Sequence, residues 1–216
     1  PQAGQGEICG GSDGHTDSSR WSSADHLHAM RADPPESPIQ DVFRILANDA
    51  IRNRRIAGDV LTGYREGRKV LVLTERTEHL PLLQDGLRDE VEHCYVLHGR
   101  LPKKQRTAVL AELDALDESA PRVLLATGRL IGEGFDHPPL DTLVLAMPIS
   151  WKGTLQQYAG RLHREHVDKQ DVRIYDYAET DQPQLNRMWD KRQRGYRAMG
   201  SVRRSAPPDT RSATAR

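Results

Sequence analysis

The chain has 216 residues, with 31 Lys plus Arg against 31 Asp plus Glu and a formal net charge of zero, which argues against a protein that coats polyanions over its whole surface. No run of about 18 apolar residues occurs, so no membrane-spanning helix is expected. Two cysteines, Cys9 and Cys94, are too few for a disulfide scaffold and point to a reducing cytoplasm. Hydrophobic residues make up only 37% of the chain, low enough to place part of it outside a packed core.

The ends account for much of that polarity. Residues 1–38 carry Gly4, Gly6, Gly10, Gly11 and Gly14, then a Ser/Asp/His mixture, then Pro34, Pro35 and Pro38, and read as a linker or the edge of an upstream region. Pro1 at the first position, with no charged-then-apolar leader behind it, predicts a fragment and not a secreted precursor. Cys9, His15, His26 and His28 are irregularly spaced for zinc, and no metal site is expected. Residues 39–200 are expected to form one domain and 201–216 a basic, disordered tail. From Arg187 onward nine Lys or Arg face two Asp or Glu. The zero net charge therefore conceals a basic C-terminal segment, suited to phosphate backbone or to a solvated helix face.

Through the middle, apolar runs that each contain a β-branched residue recur at Val70-Leu71-Val72-Leu73, Cys94-Tyr95-Val96-Leu97, Val123-Leu124-Leu125-Ala126, Leu143-Val144-Leu145-Ala146 and Val172-Arg173-Ile174-Tyr175. Bounded by polar and turn residues, they predict buried strands. Helical spacing runs from Ile39 to Tyr64, Thr77 to Arg88, Pro102 to Leu116 and Thr154 to His163, and Trp189 with Tyr196 marks one face of a later helix. Alternating strands and helices predict an α/β fold with a mostly parallel sheet covered on both faces. In such sheets ligands bind at the carboxyl ends of the strands.

After the third run comes Thr127-Gly128-Arg129-Leu130-Ile131-Gly132-Glu133-Gly134-Phe135-Asp136. Its glycines let backbone approach a ligand, and Thr127 and Asp136 supply a hydroxyl and a carboxylate at the functional edge; a plain tight loop would use the same glycines. Further on, Gln157, Arg161 and Arg164 share a helix face beside Gly160. Two guanidiniums so close call for a bridging anion such as a nucleotide triphosphate, or for acidic neighbours such as Glu133, Glu165 or Asp168. Cys94 reads as core packing, Trp151 as a cover for the core edge ahead of a base-stacking platform, and His163 as a contact to nucleotide or a facing lobe, or as a spacer.

The segments Thr127–Asp136 and Gln157–Arg164 resemble the last two signature motifs of superfamily 2 helicases, T-G-…-G-x-D and Q-x-x-G-R-x-x-R. Upstream, Val70–Arg76 resembles the strand and loop that open the second motor lobe, and Leu97-His98-Gly99 followed by Arg106 resembles its "HG…R" segment. The wording Gly-Glu-Gly-Phe-Asp with Gln-Tyr-Ala-Gly-Arg-Leu-His-Arg looks closest to bacterial DEAD/DEAH-type helicases related to the type III restriction helicase subunit.

The resemblance implies a RecA-like three-layer sandwich that completes an ATP site against a first lobe. It implies arginine fingers at Arg161 and Arg164 oriented by Gln157, nucleotide contacts at Gly134, Asp136 and Gly160, and contacts to a DNA backbone, without sequence specificity, at Thr127, Gly128, Thr74, Arg76 and Gly99. No G-x-x-x-x-G-K-[ST] loop and no strand ending in Asp-Glu is present. Mg²⁺ is therefore expected on the first lobe, and the chain by itself is expected to be inactive in ATP hydrolysis. Two readings compete: a non-enzymatic solitary lobe that binds nucleic acid or a partner, and another nucleotide-binding α/β lobe such as that of a glycosyltransferase, which leaves the two arginines unexplained.

Overall fold

A computed structural model of the chain describes residues 6–11, 15–18, 39–128, 135, 137–149, 156–162, 169, 171–179 and 182–205. Five parallel strands form its centre, each over one of the expected apolar runs: β3 Lys69–Thr74, β4 Cys94–Leu97, β5 Arg122–Thr127, β6 Thr142–Leu145 and β7 Asp171–Asp176. They lie in the order β7-β6-β3-β5-β4. All residues of β3, β5 and β6 are buried, as expected of strands covered on both faces.

Alternate side chains enter opposite layers. Leu71, Leu73, Leu124, Leu143 and Ile174 point into one core, which includes Leu113, Tyr158, Leu162, Trp189 and Tyr196. These come from helices α4 Lys103–Ala115, α5 Gln156–Leu162 and α6 Pro183–Ala198. Val70, Val72, Val123, Leu125 and Val144 point the other way, onto Ile56, Val60, Leu80 and Leu83. The latter belong to α2 Ala50–Arg65 and α3 His79–Asp85. The result is the three-layer α/β sandwich that the alternating pattern predicts. The Trp189/Tyr196 face packs inward as expected, and half-buried Cys94 packs against the second core. Burial pushes its thiol up to about 11, away from reactivity. Among the described residues no helix is long and apolar enough to cross a membrane.

The structure departs from the sequence reading in three places. The pattern over Ile39–Tyr64 is two helices: α1 Ile39–Asn48 and α2, separated at Asp49. Asp49 is extended at φ −73°, ψ 105°, and its carboxylate accepts from Ile51 N–H and Arg52 N–H. Such a cap contributes about 1 kcal/mol and restarts the helix without disturbing the apolar spacing. Second, part of the expected linker joins the sheet as β1 Gly6–Gly11 and β2 His15–Ser18. Third, part of the expected tail joins it as β8 Val202–Ser205. β1 pairs antiparallel with β7, β8 antiparallel with β1, and β2 parallel with β8. The outer edge of β7 offers unpaired backbone groups, and backbone pairing asks nothing of the Gly-rich side-chain sequence that would announce it.

α6 is fastened beneath β7 by a buried network. Arg192 donates through Nε to Asp176 Oδ2 at 2.6 Å and through Nη2 to Oδ1 at 3.0 Å, and Tyr196 adds its hydroxyl to Oδ2 at 3.0 Å. Arg192 also donates to the Ile149 carbonyl at 3.2 Å, which ties the helix to the segment entering α5.

Candidate functional site

Because the five strands are parallel, their carboxyl ends share one edge. Thr74 is the register partner of Thr127, Leu73 pairs with Leu145, and Leu145 with Asp176. Three of the expected nucleic-acid residues, Thr74, Thr127 and Gly128, thus meet at the ends of adjacent strands β3 and β5, with Arg76 two residues beyond.

Thr74 is fully buried, and its hydroxyl is already engaged. The Arg76 amide donates to Thr74 Oγ1 at 3.2 Å, and Oγ1 lies 3.0 Å from His79 Nδ1. Its place in the site is therefore to shape the loop after β3. The Arg76 guanidinium sits at the surface, donating through Nε to Glu78 Oε1 at 2.6 Å and through Nη1 to the Gln40 carbonyl and side-chain oxygens at 3.3 Å. Glu78 is held below the usual carboxylate range by its own backbone N–H, by Arg76 and by nearby Arg100. Arg100 therefore lies in the same electrostatic neighbourhood as Arg76, and Arg100, Lys103 and Lys104 are all exposed just past β4.

Gly128 is constrained from two sides. A Cβ there would sit 2.7 Å from Glu75 Oε1 and 3.7 Å from the Tyr158 hydroxyl. That hydroxyl donates to the Gly128 carbonyl, joining the element after β5 to α5. Desolvation raises the Glu75 carboxyl above its usual range even though part of the residue reaches solvent. Gly99 and Gly160 are exposed, and a Cβ at either would meet nothing within 4 Å. Tyr158, Ala159 and Leu162 form the buried arc of α5, so the backbone positions 157, 160 and 161 lie on the opposite arc. Gly134, Asp136 and Arg164, like Trp151 and His163, fall outside the described residues.

Sequence reasoning missed a buried polar cluster behind this edge. At the first turn of α2, Arg52 donates to Glu179 Oε1 at 2.9 Å and to the Ala146 carbonyl at 2.6 Å, and lies 5.5 Å from the Tyr177 ring centroid. On the next residue, Asn53 Oδ1 lies 2.8 Å from His79 Nε2. His79 is fully buried; burial first, and the charge of Arg52 second, lower its pKa to about 3, so the ring is neutral. The available signal was the His79-Leu80-x-x-Leu83 spacing, which puts a histidine on the apolar face of a short helix. No group of three or more potential metal ligands exists among the described residues.

The family model for the helicase conserved C-terminal domain matches residues 53–166, more than half of the chain. The chain belongs to that family. As a helicase C-terminal domain it is 27% identical over 139 residues to the transcript termination protein A18 of Fowlpox virus (strain NVSL), covering 63% of this chain and 29% of the viral protein. It is 34% identical over 99 residues to the uncharacterized protein 108L of Invertebrate iridescent virus 3, covering 45% of this chain and 88% of that one. The chain thus spans less than a third of the A18 relative. Among solved structures, T4 UvsW superposes with a TM-score of 0.64 at 16% identity, over 86% of this chain and 40% of that one. Domain 2 of the DEAD-box helicase Mss116p, bound to an RNA duplex, gives 0.52 at 14%, over 75% and 62%. Both likenesses bear on the fold, which is the RecA-like sandwich expected for a helicase lobe.

Proposed function

We propose that this helicase C-terminal domain, taken as residues 39–200, is the second motor lobe of an ATP-dependent superfamily 2 DNA helicase or translocase. The observation that carries the reading is the Tyr158 hydrogen bond to the Gly128 carbonyl. It physically joins the Thr127-Gly128 element, the proposed grip on a nucleic-acid phosphate, to the helix that bears Gln157, Gly160 and Arg161. In this reading Arg161 and Arg164 meet the γ-phosphate of ATP held by a first lobe, oriented by Gln157, while Gly134, Asp136 and Gly160 approach the nucleotide. Mg²⁺ would be held mainly by that first lobe. Exposed Gly160, with open space over its α-carbon, suits a close nucleotide approach. Thr127, Gly128, Arg76 and Gly99 would line the strand's backbone path, with Thr74 shaping it. Contacts of this kind carry no base specificity. The finer kinship to the type III restriction helicase subunit rests on the wording of Gly132–Asp136 together with Gln157–Arg164 and is part of the same proposal.

The test is nucleic-acid-stimulated ATP hydrolysis by the lobe joined to a first RecA-like lobe. Arg161→Ala and Arg164→Ala should each lower turnover by about 10³-fold or more, and the 216-residue chain alone should show none. Wild-type turnover in both variants would remove the finger assignment.

A second reading, the solitary nucleic-acid-binding lobe, is favoured by protein 108L, nearly all of which is spanned by the matched segment. It predicts that the chain alone binds single strands with an affinity indifferent to ATP and to a first lobe.

A further inference from the structure

Behind the loop that follows β3 runs a chain of hydrogen bonds whose direction is fixed at every step. Asn53 Nδ2 donates to the Ala47 carbonyl at 2.8 Å, so Asn53 presents its oxygen to His79. The 2.8 Å contact at His79 Nε2 therefore has the ring N–H as donor. With the ring neutral, Nδ1 is an acceptor, and the 3.0 Å contact to Thr74 Oγ1 has the hydroxyl as donor. The threonine oxygen is left to accept from the Arg76 amide at 3.2 Å. A carbonyl at the end of α1 thus sets, through three side chains, the backbone position of Arg76 on the surface.

We propose that His79 is a positioning residue whose neutral, Nε2-protonated ring presets the Thr74–Glu78 loop so that Arg76 stands ready to contact a nucleic-acid phosphate. Two features suit it to this. It lies on the buried side of α3, where Leu80 and Leu83 anchor the helix to the core, so it cannot move with the loop. It also supplies one donor and one acceptor to opposite sides, which a carboxylate or an ammonium cannot do. The consequence for nucleic acid rests on the motor-lobe reading above; the positioning of the loop does not.

The experiment uses the 216-residue chain. Amide hydrogen exchange reports the loop, and binding of a fluorescein-labelled single-stranded oligothymidine, followed against salt, reports Arg76. His79→Leu keeps an apolar anchor but removes the relay. Thr74→Val removes only the hydroxyl. His79→Gln retains a donor and an acceptor on one planar group. In His79→Leu and Thr74→Val the Arg76 amide should exchange about tenfold faster while the strands stay protected, and His79→Gln should restore most of the protection. The salt slope of binding should fall by about one in Arg76→Ala. It should fall by no more in the double variant with His79→Leu, because both changes remove the same contact. Unchanged exchange at Arg76 in folded His79→Leu and Thr74→Val proteins would overturn the proposal. Faster exchange with full binding retained in Arg76→Ala would uphold the positioning role and overturn instead the assignment of Arg76 to nucleic acid.

Discussion

At the amino ends of the parallel strands charges meet charges, whereas at the carboxyl ends hydroxyls, amides and a neutral ring do most of the work. Arg68, just before β3, pairs with Asp171, with Asp141 at 3.4 Å and with Glu66 at 3.8 Å. Arg173 joins Glu66 and Asp171. Arg122 turns its guanidinium onto the Ala120 and Leu113 carbonyls at 3.1 and 3.3 Å. These three arginines are satisfied by their own neighbours. At the opposite end Thr74 and Thr127 stand side by side in the buried layer, while the side chains of Arg100, Lys103 and Lys104 are exposed and Gly99 and Gly160 open onto free space. One end closes the sheet, and the other leaves groups suited to anions within reach of solvent. Parallel strands make this division natural, since all five ends of one kind lie together.

The carboxyl edge nevertheless has two buried ionic anchors, Arg192 with Asp176 and Arg52 with Glu179, and breaking the second should give the largest effect among the changes proposed. Glu179→Ala would leave Arg52, whose side chain is 1% exposed, without its carboxylate. A loss of about 3 to 5 kcal/mol in urea unfolding is expected, because the uncompensated charge stays buried. Arg52 Nη2 already lacks a hydrogen-bond partner among the described residues, so there is no spare acceptor to absorb the change.

The neutral ring of the relay gives the next effect. The folded His79 pKa of about 3 lies below the unfolded value of 6.5. Below pH 6.5 the unfolded chain therefore binds the extra proton, and stability falls as pH drops toward 3. The slope is about 1.4 kcal/mol per pH unit. Urea unfolding at about pH 6 and pH 4 should show a loss about 2.5 kcal/mol larger in the wild-type chain than in His79→Gln. An equal slope in that variant would assign the effect to other groups.

The smallest change sharpens the contrast from the closed end. Arg68→Ala should cost about 2 kcal/mol, since its side chain is only 10% exposed and its charged partners are partly desolvated. It should leave the salt slope of oligonucleotide binding unchanged. A fall in that slope would show that the amino edge also faces nucleic acid.

Much of this molecule was legible from hydropathy. The five runs from Val70 to Tyr175 are strands because short β-branched apolar stretches have little alternative, and their alternate residues separate into the two cores as period two requires. The break at Asp49 was hidden because the apolar spacing continues across it; only the extended backbone and the two accepted amides mark it. The edge strands Gly6–Gly11, His15–Ser18 and Val202–Ser205 were hidden for a different reason, namely that their pairing is written in backbone.

The same limit applies to the site. Sequence alone determined which residue types follow each strand: Thr74 and Arg76, Gly99, Thr127 and Gly128, and the helix with Gln157, Gly160 and Arg161. Those choices are local, dictated by strand ends and helical spacing. Only the tertiary structure decided that Thr74 is buried and acts through His79, that Asn53 and Arg52 stand behind it, and that Tyr158 reaches back to Gly128. Hydrogen bonds between residues 26 or 30 positions apart in sequence have no periodicity to announce them. They exist because the parallel crossover brings distant segments to one edge, where each buried polar group must find a partner.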